Sequence, residues 1–168
     1  MERIQQFNVN FKDEETPFFQ VDTNHRIRFG MDEISGSLLT TILKDIFNTN
    51  EKIDTSFIIG SITNNKRHHE KNGIGKSIKI NNWEEAIVKD EEMDAEIIYA
   101  TVKSINNSDV YNYCKKVHQG HREAYIVFYN DRFLIYVNND VLDIISNDSN
   151  LIRDLKVKYE KHLNEYYA

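Results

Sequence analysis

Residues 123–137 read EAYIVFYNDRFLIYV. Two apolar runs flank Asn130-Asp131, and both residues tolerate the positive φ that a two-residue hairpin turn requires. The segment therefore predicts a hairpin. Counting outward from that turn sets Phe128 opposite Phe133, Ile126 opposite Ile135 and Ala124 opposite Val137. The other face carries Val127 with Leu134 and Tyr125 with Tyr136. One face is wholly apolar, and the other is apolar with tyrosine hydroxyls. Such a hairpin must lie within a sheet covered on both sides, by helices or by another subunit.

Upstream, Ala95–Val102 has the composition of a strand. Ser108 then caps a helix over 108–119, with Val110, Tyr113, Cys114 and Val117 at helical spacing and Gly120 as its left-handed terminator. Strand, helix and strand predict a right-handed crossover with parallel neighbours. Downstream, Leu151, Leu155, Tyr159, Leu163 and Tyr166 form one stripe, with Ile152 alongside, of a helix over 149–166.

Nearer the N-terminus, the stripe Ile34, Leu38, Ile42, Ile46 predicts a helix over 34–47, capped by Asp32 or Ser35. Residues 55–62 and 77–80 read as strands, and Asn82 opens a short helix through Val88. Phe7, Val9 and Phe11 alternate, which predicts a strand over 3–11. Residues 18–29 read as extended, with a turn at Asn24-His25. The expectation is one α+β domain over 1–168, with a mixed, mostly antiparallel sheet and three or four helices packed on it.

Composition fits a folded chain of 168 residues with 40% hydrophobic and 29% charged residues, one proline and six glycines. There is no run of apolar residues long enough to span a membrane. MERIQQFNVNFKDEE has no apolar core of a secretory signal. A single cysteine, Cys114, has no internal disulfide partner, which suits a reducing cytoplasm. Net charge is −6, from 21 Lys and Arg against 27 Asp and Glu. That balance argues against a general nucleic-acid binder, whose affinity comes from phosphate contacts, and favours a protein partner.

Four groups of residues invite chemical readings. Gly73-Ile74-Gly75-Lys76-Ser77 resembles the end of a phosphate loop, but the position of the motif's first glycine holds Glu70, and a strand is expected where the motif needs a helix. Lys66, Arg67, His68, His69, Lys71 and Lys76 make a basic loop; adjacent histidines on a strand would face opposite ways. His118 and His121, with Arg122 and Glu123, bracket a helix end, where Gly120 turns the chain and separates them. His118 has a simpler alternative role as a cation near a helix C-terminus, which the dipole favours. No ligand spacing for a metal is complete, and neither a metal nor any other cofactor is expected. Cys114 and His118 lie one helical turn apart, but Cys114 belongs to the apolar stripe, where a buried inert thiol is expected.

The densest like-charge feature is Glu84, Glu85, Asp90, Glu91, Glu92, Asp94 and Glu96. Its spacing does not fit a calcium loop. An acidic segment of this kind suits a basic partner, which it would steer and whose cationic site it would occupy.

The expected function is therefore a small cytoplasmic protein-binding module that uses this segment, of the immunity or antitoxin type that inhibits a bacterial toxin. Size, acidity, tyrosines expected at the surface and the absence of a complete catalytic motif all point that way. The alternatives are a small nuclease or nucleotide-processing enzyme built on His68, His69, His118 and His121, and a non-catalytic scaffold or mobile-element protein. Oligomeric state is left open.

Overall fold

A computed structural model describes residues 1–48, 50–164 and 166. Eight strands form one sheet: β1 (Arg26–Gly30), β2 (Ile53–Thr63), β3 (Lys66–His69), β4 (Glu84–Asp90), β5 (Ala95–Ile105), β6 (Ile126–Tyr129), β7 (Leu134–Val137) and β8 (Val141–Ile145). Their order is β1-β8-β7-β6-β2-β5-β4, with β3 also beside β2. Every pairing among the described residues is antiparallel. Three helices, α1 (Gly36–Ile46), α2 (Asn107–His118) and α3 (Ser149–Lys158), bury their apolar stripes in the cluster on one face. The fold is α+β, as expected. Among the described residues no helix is long and apolar enough to cross a membrane.

The hairpin of 123–137 is present, but its turn sits one residue later. Asn130 pairs with Phe133 through its amide, which donates to the Phe133 carbonyl at 2.9 Å. The Asn130 side-chain oxygen accepts the amides of Arg132 at 2.8 Å and Phe133 at 2.7 Å. Asn130 thus closes the turn with its side chain and does not occupy a central position. The partners become Phe128 with Ile135, Val127 with Tyr136 and Tyr129 with Leu134. Each moves by two residues, so strand alternation keeps both faces unchanged. Ile126, Phe128, Phe133 and Ile135 face the helices; Val127, Tyr129, Leu134 and Tyr136 face the other way.

That second face is covered by the chain's own N-terminal segment. The strand expected over 3–11 is instead a 3₁₀ turn, Glu2–Phe7, ended by Asn8 at φ 56°. Ile4, Phe7, Val9 and Phe11 are nevertheless all buried against the sheet. The alternation of Phe7, Val9 and Phe11 recorded burial against one surface, not pairing at an edge. Phe11 stacks on Tyr125 with centroids 4.8 Å apart. Each such buried side chain contributes roughly 1.5–3 kcal/mol. A covering subunit is therefore not needed.

Other expectations change for similar reasons. In 18–29, short 3₁₀ turns at Pro17–Gln20 and Thr23–His25 precede β1, and Asn24-His25 is no hairpin turn. Ser35, not Asp32, caps α1 by accepting the Leu38 amide at 3.1 Å. Asn106, not Ser108, precedes α2. Residues 77–80 hold no strand, whereas 84–90 form β4 and not a helix. Residues β-branched at 87 and 88, beside an open edge of β5, go to the sheet. The tail helix stops at Lys158, Tyr166 is 89% exposed, and Glu165 lies outside the described residues. The crossover joins β5 and β6, but they are not neighbours: β2 lies between them, antiparallel to both.

Candidate functional site

β2 is long enough to pair with different strands along one side. Asp54–Phe57 pair with β6, and Gly60–Thr63 with β3. The β2–β3 turn is Asn64-Asn65, both at positive φ, as a tight hairpin demands. On its other side β2 pairs with β5, and β5 with β4, which ends the sheet. Among the described residues no strand pairs with the outer side of β4.

The acidic residues all lie on this β4–β5 hairpin. Strand alternation splits them. Glu84 and Asp90 share a face with Ala86 and Val88, which pack toward the N-terminal segment; Glu85, Ile87 and Lys89 point the other way. Asp90 Oδ1 accepts the amides of Glu92 and Met93, each at 3.1 Å, and shapes the tip. Asp94 closes it at φ 46°. Glu91, Glu92 and Asp94 are exposed there, with Glu96 just beyond.

Two of the seven acids already have partners. Glu84 accepts from Lys103 Nζ at 2.9 Å, and Glu85 from Arg67 Nη2 at 2.6 Å. Hydrogen bonds from those cations hold both carboxyls below the usual range. Among the described residues, the acids without an ion-pair partner are accordingly at the tip: Asp90, Glu91, Glu92, Asp94 and Glu96, with Lys89 opposite Glu96.

The hairpin also exposes apolar surface that the sequence reading did not single out. Trp83 is 50% exposed, Ile87 52% and Met93 66%. Trp83 and Glu84 border an open cleft of about 380 Å³ shared with Lys79, Lys103 and Ser104. Of the tyrosines expected at the surface, Tyr166 alone is exposed among the described residues.

The histidines do not converge on one reacting position. His118 Nε2 lies 2.8 Å from the Ile34 carbonyl, holding α2 to the start of α1. His121 follows Gly120, at φ 82°, and borders a different cleft with Arg122. His68 and His69 are exposed neighbours on β3 and point to opposite sides. Cys114 is fully buried in the core, and burial pushes its thiol pKa up. The stretch 73–77 forms a short 3₁₀ turn, Ile74–Lys76, not a helix start. Among the described residues no group of three or more His, Cys, Asp or Glu is placed to hold a metal ion. Comparison with protein-family models, curated proteins and solved structures found no match.

Proposed function

We propose that the chain is a protein-binding module whose β4–β5 hairpin takes an extended, basic segment of its partner, and that it serves in the cytoplasm as an immunity- or antitoxin-type inhibitor of a toxin domain. The observation that carries this reading is the meeting, on one hairpin, of an outer strand edge that pairs with no other strand among the described residues, a carboxylate-rich tip and exposed Trp83, Ile87 and Met93. An edge strand offers backbone donors and acceptors to an added strand. Exposed aromatic and aliphatic side chains beside it supply anchors. The carboxylates raise the association rate of a cationic partner and disfavour pairing with a second copy, which would set acid against acid. The scattered histidines weigh against the enzyme alternative, which needs them in one cleft.

The test uses the tagged full chain as bait in its native cells, with bound proteins identified by mass spectrometry. A stoichiometric basic partner is expected, released by salt and lost on combined Glu91→Lys, Glu92→Lys and Asp94→Lys. Expressed alone, that partner should be toxic, and co-expression should restore growth. Retention of the partner by the triple variant would overturn the hairpin assignment. A harmless partner would overturn the inhibitor assignment.

A further inference from the structure

The loop of 71–77 and the C-terminal end of α2, far apart in sequence, enclose an open cleft of about 450 Å³. Lys71, Lys76, Lys116, His121 and Arg122 line it, and no carboxylate does. This is a concentration of positive charge in a chain whose net charge is −6. We propose that the cleft binds a phosphate-bearing small molecule of about mononucleotide size. The proposal does not depend on the acidic hairpin.

The loop is fixed in place by the same cations. Lys116 Nζ donates to the Lys76 carbonyl at 3.2 Å, and Arg122 Nη1 to the Lys71 carbonyl at 3.1 Å. Each bond uses one N–H of a group that carries several, so the remainder can serve a ligand. Gathering these cations costs Coulomb energy that a bound anion relieves. Gly73, at φ 67°, has no atom within 4 Å of where a Cβ would stand, so a ligand can approach this backbone closely.

The dipole at the end of α2 opposes an anion, but that end is neutralised locally. Gln119 and His121 amides cover the Lys116 carbonyl, and the Gly120 amide covers that of Val117. Tyr113 and Val117 add apolar wall to the cationic rim, and the volume lies within the range of small-ligand sites. A nucleic-acid strand is the weaker fit. It needs cations that continue along its path, whereas Glu70 interrupts the run and Arg67 is bound to Glu85.

The experiment follows backbone amides of the isotopically labelled full chain during titration with adenosine monophosphate, inorganic phosphate and a single-stranded oligouridylate. Adenosine monophosphate should shift Gly73–Ser77 and His121–Arg122 saturably, with affinity at least tenfold above that of phosphate. Combined Lys71→Glu and Lys76→Glu should weaken it at least tenfold without changing the thermal midpoint; both side chains line the cleft, and the bonds that fix the loop use only the backbone carbonyls of these two residues. Absence of saturable shifts at these amides, or shifts that survive the double variant, would overturn the site. Equal affinity for phosphate would overturn the size of the ligand. An oligonucleotide bound far more tightly, with steep salt dependence, would replace the small molecule by a nucleic acid.

Discussion

Arg28 and Asp143 face each other across neighbouring strands β1 and β8, joined by Nε–Oδ1 and Nη2–Oδ2 contacts of 2.6 and 2.8 Å. Both are buried, and the Arg28 guanidinium also lies over the Phe18 ring at 4.0 Å. Burial pushes the Asp143 carboxyl up, and Arg28 opposes that shift. Removing the Asp143 carboxylate breaks both contacts of this buried pair. Asp143→Ala should therefore cost about 3–5 kcal/mol in urea unfolding, whereas the apolar pair Arg28→Met with Asp143→Leu should recover most of the loss. A double variant as unstable as the single would show that the ion pair itself, not its completeness, stabilises this end of the sheet.

Asn130 makes a different kind of contribution. Its side chain accepts two turn amides and donates to Glu51 Oε2 at 2.6 Å. Asn130→Ala strands the buried Phe133 amide and should cost about 1–2 kcal/mol, with the urea slope unchanged. Asn130→Asp keeps the acceptor but sets a carboxylate against Glu51, so it should recover only part of the loss.

This residue also marks the limit of what the chain discloses unaided. The apolar runs around 130 specify a two-sided hairpin, and their alternation specifies which side chains share a face. The turn centre is another matter. Asn130 suits both a left-handed turn position and an acceptor role, and only the Phe133 and Glu51 contacts decide between them. The candidate site divides similarly. The acidic run is plain in the sequence, but Glu84-Glu85 after Asn82 carries helix-start character, and the edge of β5 that recruits Ala86-Ile87-Val88 is not a local property. The neutralisation of Glu85 by Arg67, and the meeting of Lys71 and Lys76 with Lys116 and Arg122, depend on tertiary contacts that no spacing encodes.

Glu123 should give the protein a measurable pH response. Its Oε2 is buried without a hydrogen-bond partner among the described residues, and desolvation raises its pKa above the ordinary 4.5. A carboxyl raised on folding binds its proton more readily in the folded state. Its contribution to stability is therefore full below 4.5 and declines as pH rises through the folded value. Glu123→Gln should gain stability relative to the parent as pH moves from 4 to 7, by less than about 1 kcal/mol because solvent reaches the group. Thermal midpoints across that range test this; parallel curves would show that Glu123 is not raised.

Cys114 should be silent toward thiol reagents in the native protein. The side chain is 0% exposed and its thiolate is disfavoured by burial. An aromatic disulfide reagent should react only at the rate of unfolding and completely in denaturant. Fast native labelling would restore the pairing of Cys114 with His118 as a chemical possibility.

Gly60 links the strand that carries Arg67 to the rest of the sheet. It pairs with His69 on one side and Ile98 on the other, beside a register shift between Ile58 and Gly60. A Cβ there would collide with the His68 carbonyl oxygen. That atom is backbone, so the clash is relieved only by moving β3 away. Gly60→Ala should therefore lower stability by about 1–3 kcal/mol and speed hydrogen exchange at Lys66–His69 more than at β5. Gly75→Ala, with open space at its Cβ, should change stability by less than about 0.5 kcal/mol. Detaching β3 also frees Glu85 from Arg67, which adds an unpaired carboxylate to the hairpin. Binding of a basic partner should accordingly survive Gly60→Ala or tighten at low salt; its loss would place the interface on β3 and not on the β4–β5 hairpin.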